Sequence, residues 1–206
     1  MSRDVRVSKV RRPGRPVGGQ LDISREAVLD AAERVIARDG ASASIEAIAM
    51  AAGVTKPIVY DRVGSRADLA TALAERLAER MADAARAALG GRGFDRENLA
   101  GFIEANLVTV RRHRELFLYV TGGTTDQTAL GRLVLARRSA EPIAAALAHW
   151  RTDTGRDPDV AESWAYGLVG MLQMASLWVL GSDLVEPSHV AAHLSELMWN
   201  GLAGNP

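Results

Sequence analysis

The sequence contains no cysteine, and this absence removes several kinds of site at once. Without a thiol, the chain forms no disulfide, holds no thiolate-bound metal and senses no redox change through sulfur. The absence is consistent with a reducing compartment, and we expect the protein in the cytoplasm. With 206 residues, of which 48% are hydrophobic and 24% charged, the chain is long enough for one or two globular domains with a substantial core.

Long apolar runs are also missing. The most apolar stretch, Leu168–Leu180, is shorter than a helix that spans a bilayer and contains Gln173 and Ser176. The basic start of the chain runs into proline and glycine and not into an apolar segment, which argues against a signal peptide. We therefore expect a buried helix near the C-terminus and no membrane partner.

Sequence motifs for catalysis are absent as well. No glycine-rich phosphate loop follows a predicted strand, and there is no nucleophile elbow. His189 and His193 are four residues apart on one predicted helix, with Glu196 close by, and this spacing suits a divalent cation. Residue 190 is valine, however, so the general-base glutamate of the metalloprotease motif is missing. We predict that the protein is not an enzyme and needs no cofactor or metal.

Net charge is zero, but the charge is unevenly distributed. Residues 1–20 carry six basic side chains and one acidic one, a net charge of +5. The segment mixes arginine with proline and glycine, so we expect a flexible arm with an anionic partner. Its Pro13-Gly14-Arg15-Pro16 resembles a hook that lies in narrow minor grooves of DNA, although a solubilising tail would explain the same composition. The arm residues expected to contact DNA are Arg11, Arg12 and Arg15.

Residues 44–60 contain a pattern of two short helices joined by a tight turn. Ser44 is a good N-cap for the first helix, and Gly53 suits the positive φ that a tight turn needs. Pro57 falls in the first turn of the second helix, where its missing N–H costs little. These features are typical of a helix-turn-helix, whose second helix enters the DNA major groove. A hairpin of helices inside a bundle would show the same pattern.

The flanking residues extend this pattern to a longer motif. A predicted helix over Ser24–Arg38 precedes the sequence IxxIAxxAGVxKxxxYxxxxSRxxL, and the arrangement resembles the TetR family of transcriptional regulators. Val63 stands where that family most often has phenylalanine, and Pro57 replaces a more usual glycine or small residue. The matching residues are Ile45, Ile48, Ala49, Ala52, Gly53, Val54, Lys56, Tyr60, Ser65, Arg66 and Leu69.

The resemblance implies an all-α protein in three parts. These are a basic arm at residues 1–20, a three-helix helix-turn-helix domain at 21–66, and a helical ligand-binding and dimerisation domain at 67–206. Residues 21–66 carry six basic and seven acidic side chains, so we expect the arm to supply part of the charge that DNA binding needs. Within the second part, the residues assigned to DNA contacts are Ser44, Thr55, Lys56, Pro57, Tyr60, Arg62 and Arg66.

The resemblance also implies a homodimer and an effector pocket. The last two long helices would pair with those of a second copy and place two recognition helices about one DNA turn (~34 Å) apart on a palindromic operator. Aromatic and methionine side chains in the body predict a largely apolar or aromatic small-molecule effector, although ordinary core packing explains most of them equally. The candidate pocket residues are Phe102, Asn106, Phe117, Tyr119, Tyr166, Met171, Met174 and Trp178.

The predicted function is a ligand-responsive, DNA-binding transcriptional regulator. Repression is the default in the family that the motif resembles, with release from the operator when the effector binds. The alternative is a helical adaptor that binds only protein. A titration against promoter DNA separates the two functions, because the adaptor would show no preference over random DNA.

Overall fold

The computed structural model describes residues 23–89, 95–122 and 126–203. The predicted arm residues Arg11, Arg12 and Arg15 lie outside these ranges. Within them no strand occurs, and the predicted all-α fold is confirmed. The described helices are α1 (Arg25–Asp39), α2 (Ile45–Ala52), α3 (Lys56–Val63), α4 (Arg66–Leu89), α5 (Arg96–Arg112), α6 (Arg114–Thr121), α7 (Asp126–Asp153), α8 (Ala161–Leu180) and α9 (Pro187–Ala203).

Helices α1, α2, α3 and the first turns of α4 enclose a small core. Ser24 caps α1, since its side chain accepts the N–H of Ala27 at 3.1 Å, and the apolar stripe of α1 faces the other three helices. Helices α2 and α3, with eight residues each, are too short to be stable alone, so burial of the apolar stripes must hold them in place. The fully buried residues of this core include Val28, Leu29, Ile36, Ile48, Val59, Leu69 and Leu73.

Helix α4 is shared by both parts of the molecule. Its first half packs on α1 and α3, and along its length it also contacts α5, α6 and α7. Leu77 and Met81 belong to the same buried cluster as the residues of α1–α3. Helix α4 therefore shares one core with the first three helices.

The remaining helices form the body. Helix α7 packs between α4 and α8, and α5 packs on α9 and α4. Helix α7 continues through Pro142, whose ring removes one helical hydrogen bond. A second core cluster fills the body and includes Leu99, Ile103, Leu107, Leu147, Ala165 and Met198.

The stretch Pro158–Leu180, which contains α8, is long and apolar enough to cross a bilayer by length and composition, whereas the apolar run apparent in the sequence alone is shorter. Core helices of globular proteins pass the same test, and one such helix is weak evidence for a membrane span. Here the helix packs against α5 and α7, and its apolar residues on that side are buried.

Candidate DNA-binding surface and body cavity

One glycine sets the turn between α2 and α3. Gly53 lies in the left-handed region at φ 70° and ψ 26°, a conformation that a side chain with a Cβ disfavours. The N–H of Gly53 donates to the carbonyl oxygen of Met50 at 3.1 Å, and the N–H of Val54 donates to that of Ala49 at 3.0 Å. These bonds satisfy carbonyls at the end of α2 and direct the chain into α3.

Helix α3 has one buried and one exposed face. Val59 and Val63 pack into the core, with 0% and 5% of their surface exposed. This buried pair fixes the rotation of α3 about its axis. Lys56, Pro57 and Tyr60 are consequently exposed on the outer face, where the second helix of a helix-turn-helix reads DNA.

Thr55 occupies the N-cap of α3, but its side chain makes no capping hydrogen bond. Pro57 at the second helical position has no N–H to offer. The N–H of Ile58 donates instead to the backbone carbonyl of Thr55 at 3.0 Å. The exposed Thr55 hydroxyl is therefore not engaged in capping the helix.

Two predicted DNA contacts lie beside carboxylates in the free protein. Lys56 Nζ is 2.9 Å from Glu46 Oε2, and its hydrogen bond holds the pKa of Glu46 below its ordinary value. Arg62 is half-buried, with its Nη1 3.5 Å from Asp61 Oδ2. A DNA phosphate must compete with Glu46 for Lys56, a competition that the sequence pattern did not indicate.

Arg66 and Ser44 meet at the start of α2. Arg66 Nη2 donates to the carbonyl oxygen of Ala43 at 3.2 Å, and the Ser44 hydroxyl accepts the N–H of Ala47 at 3.1 Å. The sequence assigned these residues separately, 22 positions apart. The structure brings a guanidinium next to the positive end of a helix dipole, an arrangement suited to a phosphate.

A reciprocal cap fixes the start of α4 and so the position of Arg66. The N–H of Ser65 donates to Asp68 Oδ2 at 2.8 Å, and the N–H of Asp68 donates to Ser65 Oγ at 3.2 Å. Ser65 and Asp68 therefore form a capping box. Hydrogen bonds from the hydroxyl and then the backbone N–H of Ser65 hold the pKa of Asp68 below its ordinary value.

Ion pairs join α4 to α1 across the edge of the small core. Arg76 Nη1 lies 2.8 Å from Asp30 Oδ1, and Arg76 also pairs with Glu26. Arg80 Nη2 lies 2.7 Å from Glu33 Oε2. Sequence reasoning missed these pairs because their members are more than 40 positions apart and no local period relates them.

A cavity of about 180 Å³ lies in the body. Its walls come from α5 on one side and α7 on the other, two helices that make almost no direct contact. Helices α4 and α8 close the remaining sides. The α4 residues in the wall are Ala78, Met81, Ala82, Ala85 and Arg86, which begin between the two arginines that pair with α1 and continue beyond them.

Three of the predicted pocket residues line this cavity: Phe102, Asn106 and Phe117. Tyr119 is buried in the core near α1–α4 and Met171 packs in the body core, and neither is in the wall.

Tyr166, Met174 and Trp178, which the sequence also assigned to the pocket, are 45%, 65% and 59% exposed and lie outside this cavity, so their part in a ligand site stays a prediction. Helix α8 turns its other face, with Leu168, Leu172 and Ser176, towards the cavity. When a helix is apolar on more than one side, its composition does not tell which side faces a ligand.

The cavity wall also contains polar residues that sequence reasoning did not select. Ser139 and three arginines, Arg86, Arg132 and Arg138, contribute to it. In the sequence, each of these four residues looks like an ordinary residue on the surface of a helix. Only the packing of α7 against α4 and α8 places them at a cavity.

The structure gives no support for a metal site at His189, His193 and Glu196. In residues 23–89, 95–122 and 126–203, no group of three His, Cys, Asp or Glu comes close enough to hold an ion. Glu196 lies 3.9 Å from Arg96 instead.

Comparison with known proteins connects these features to one family. Residues 28–73, which cover α1 to the first turns of α4, match the family model described as bacterial regulatory proteins, tetR family. An HTH-type transcriptional regulator of Mycobacterium tuberculosis is 25% identical over 185 residues, which cover 87% of this chain and 77% of that protein.

Solved structures extend the match to the body. A TetR-like transcriptional regulator from Rhodococcus sp. RHA1 is 30% identical, with a TM-score of 0.61 over 88% of this chain and 97% of that one. The regulator FadR from Bacillus subtilis, whose structure holds stearoyl-CoA, shares the fold at 17% identity, with a TM-score of 0.64 over 85% of this chain and 98% of that one. The chain belongs to the TetR family and is a helix-turn-helix, DNA-binding transcriptional regulator.

Proposed function

We propose that the protein is a cytoplasmic repressor that binds a palindromic operator as a homodimer and leaves it when a small molecule fills the cavity. The observation that carries this proposal is the double role of α4. One half of the helix is paired to α1 through Arg76 and Arg80, and the other half forms a wall of the cavity.

The DNA contacts would come from two places on the first domain. Lys56, Pro57 and Tyr60 on the outer face of α3 would enter the major groove, with Thr55 and Arg62 at its borders. Ser44 and Arg66 at the start of α2 would hold a phosphate and set the register of α3. The basic arm at residues 1–20, with Arg11, Arg12 and Arg15, would add charge. Residues 21–66 would then form the DNA-binding domain, and residues 67–206 the ligand-binding and dimerisation domain.

The dimer would form through α8 and α9. Helix α8 exposes Met174 and Trp178, and α9 exposes Leu197 at 62%. Such an apolar face is unusual on a monomer surface and is typical of an interface. Gly167 and Gly170 lie on the same side of α8, and a Cβ at either would meet nothing within 4 Å inside the chain. The monomer does not need glycine there, but a closely approaching second helix would.

Release would follow from a difference in affinity between two conformations. A ligand that binds better when α5 and α7 are further apart would shift α4, and α4 would shift α1–α3 in each subunit. The spacing of the two recognition helices would then no longer match the operator, and ligand and operator would weaken each other's binding equally. The stearoyl-CoA bound to FadR supports ligand control in proteins of this fold.

A fluorescence-anisotropy titration tests DNA recognition. Labelled duplexes from the region upstream of the protein's own gene are titrated at fixed salt, with random DNA of equal length as the control. We expect at least about a hundredfold preference for one duplex, since specific sites exceed non-specific ones by about 10³ or more. If all duplexes from this upstream region bound with equal affinity, the adaptor function would be favoured instead.

Substitution on α8 tests the dimer. We expect Trp178→Glu to convert the dimer to a monomer in light scattering and to weaken operator binding by more than about tenfold, because only one half-site is then held. Leu133→Glu is the control, because Leu133 is 67% exposed on α7, outside the DNA-binding helices, α8, α9 and the cavity wall. A Trp178→Glu protein that remains dimeric would contradict this interface.

A further inference from the structure

We propose that the effector is an anionic amphiphile whose negatively charged group is bound by Arg132 and whose apolar part lies between α5 and α7. This inference rests on the proposed function, because it takes the cavity as the effector site. It concerns which residues of this chain bind the ligand, and the charge and size of the ligand that they accept.

The charges around the cavity have one sign. Its wall contains Arg86, Arg132 and Arg138, and no aspartate or glutamate is among the described residues that line it. Arg86 and Arg138 are exposed, so solvent screens their charge, whereas Arg132 is half-buried in a mainly apolar wall, where its field is stronger. The cavity therefore favours a negatively charged ligand group over a neutral one and disfavours a cation.

The three arginines differ in how far they are already paired. Arg86 pairs with Asp83, and Arg138 Nη2 lies 3.4 Å from Glu75 Oε1. Arg132 is half-buried and has no carboxylate partner within the part of the chain that the structure describes. A partly desolvated guanidinium gains most from a carboxylate or phosphate, which it can bind through two parallel hydrogen bonds.

The lining of α7 separates this charge from an apolar region. Arg132, Ser139 and Ala146 are seven residues apart, so they follow one face of the helix at intervals of roughly 10 Å. Beyond Ser139 the wall contributed by α7 consists of Pro142, Ile143 and Ala146. A ligand with a charge at one end and an apolar chain or ring at the other matches this distribution.

Two buried oxygens give a second indication that the cavity is a binding site. Asn106 is 6% exposed, and its Oδ1 has no hydrogen-bond partner among the described residues; the same holds for Ser139 Oγ. Both residues line the cavity. Buried polar atoms in folded proteins are nearly always satisfied, so a bound polar group is the simplest partner for them.

The volume limits the apolar part of the ligand. A cavity of roughly 150 Å³ with apolar walls accepts benzene. At about 180 Å³, this cavity suits an aromatic ring or a short to medium alkyl chain better than a long acyl chain.

The position of Arg132 also indicates how the charged group would act. A Cβ on the neighbouring Gly131 would lie 3.5 Å from the carbonyl oxygen of Val120 and 3.6 Å from that of Ala70. Helix α7 therefore approaches the backbones of α6 and of the first turns of α4 closely at this point. Because Ala70 belongs to the core shared with α1–α3, a shift of α7 at Arg132 reaches the DNA-binding domain directly.

The test is a calorimetric titration of the full-length protein with probes that differ only in the head group. The anionic probes are octanoate, octyl phosphate and octanoyl-coenzyme A, which separate a carboxylate from a phosphate and from a thioester. Octanol and octylamine are the neutral and cationic counterparts. We expect at least one anionic probe to bind about tenfold or more tightly than octanol, and octylamine to bind least.

Variants then assign the preference to one side chain. Arg132→Gln should remove the preference for the anion while leaving the affinity for octanol unchanged, and Arg132→Lys should restore part of it. The matched control is Arg137→Gln, an exposed arginine on the same helix that does not line the cavity. Thermal unfolding and operator affinity without ligand show whether each variant is folded.

The outcomes separate this inference from the proposed function. If octanol binds as tightly as every anion and releases the operator, the cavity is an effector site and the anionic ligand is wrong. If an anion binds but Arg132→Gln has no effect, the role of Arg132 is wrong. If no anionic probe binds, the inference is also overturned, whereas the proposed dimer and operator recognition are judged by their own titrations.

Discussion

Arg80 on α4 donates two hydrogen bonds from one nitrogen, Nη2, to the two carboxylate oxygens of Glu33 on α1, at 2.9 and 2.7 Å. The Glu33 side chain is 21% exposed, so the pair is only partly open to solvent. It joins the helix that lines the cavity to the domain that carries α3. We propose that coupling between the two parts depends on this contact.

Removing this pair should weaken the coupling more than the fold. We expect a double-mutant cycle of Glu33→Gln and Arg80→Gln to give an interaction energy of about 0.5–1 kcal/mol in urea denaturation, as for partly exposed pairs. The same variants should bind the operator but respond less to ligand. A full ligand response in Arg80→Gln would show that coupling takes another route.

Glu46 should limit the affinity for DNA. It neutralises Lys56 at 2.9 Å and places a negative charge on the surface that faces the phosphates. Glu46→Gln should raise operator affinity severalfold, whereas Lys56→Ala should lower it and reduce the slope of log affinity against log salt by about 1. The titrations are run from low to moderate salt, and unchanged affinity in Glu46→Gln would place this surface away from DNA.

Two glycines should respond differently to the same substitution. Gly53 is in the left-handed region, and a Cβ added to it would meet nothing within 4 Å, so Gly53→Ala should cost about 1 kcal/mol of unfolding free energy. Gly64 has φ 79° and ψ −146°, a region nearly restricted to glycine, and a Cβ there would lie 2.5 Å from Asp68 Oδ2. Gly64→Ala should cost more, about 2 kcal/mol or above, by chemical denaturation. If the two substitutions cost the same free energy of unfolding, the Asp68 side chain must move away from residue 64 without a loss of stability.

Gly170 and Gly101 provide a matched pair for the dimer interface. Both lie inside helices, and a Cβ on either meets nothing within 4 Å in the chain. Alanine should raise helix stability by about 0.5–1 kcal/mol at Gly101, because glycine loses more entropy on folding. At Gly170 the same substitution should weaken dimerisation in sedimentation equilibrium, since the added methyl group meets the partner helix. An unchanged dimer constant in Gly170→Ala would exclude close helix approach at this position.

His113 should make stability depend on pH near neutrality. Burial, followed by the charge of Arg80, lowers the pKa of His113; Glu33 opposes this effect and Arg112 adds to it. Because the folded pKa lies below that of the unfolded chain, the unfolded chain takes up the proton first as pH falls. The free energy of unfolding should therefore decrease as pH falls through about 6.5.

Substitution isolates this histidine from the other titrating groups. His113→Gln should flatten the part of the pH dependence between about pH 7.5 and 5.5, measured by thermal unfolding. The carboxylates with lowered pKa, Asp39, Glu46 and Asp68, titrate at lower pH and should behave alike in both proteins. An identical slope in the variant would contradict the role of His113.

Local chemistry was enough to locate the DNA-binding motif. Ser44, Gly53 and the Ser65–Asp68 box act through hydrogen bonds and backbone conformations that span at most four residues, so the sequence contains all the information they need. For the same reason the predicted first helix, Ser24–Arg38, agrees to within one residue with α1, Arg25–Asp39.

The cavity and the coupling depended on tertiary structure. Phe102, Asn106 and Phe117 line the cavity, whereas Tyr166, Met174 and Trp178, which were chosen by the same criterion of side-chain type, face outward. Apolarity states only that a side chain avoids water, and a ligand pocket, a core and a dimer interface all meet that condition.

The sequence by itself determined the helical fold, the helix-turn-helix and the family, because periodicity, caps and turn glycines act over short distances. Only the packing of α4, α5, α7 and α8 decided which residues line the cavity and that Arg132 is half-buried there without a described acidic partner. The packing of α4 on α1 decided that Arg80 reaches Glu33. These relationships join residues tens of positions apart. They follow from how helices pack as bodies, which no local pattern specifies.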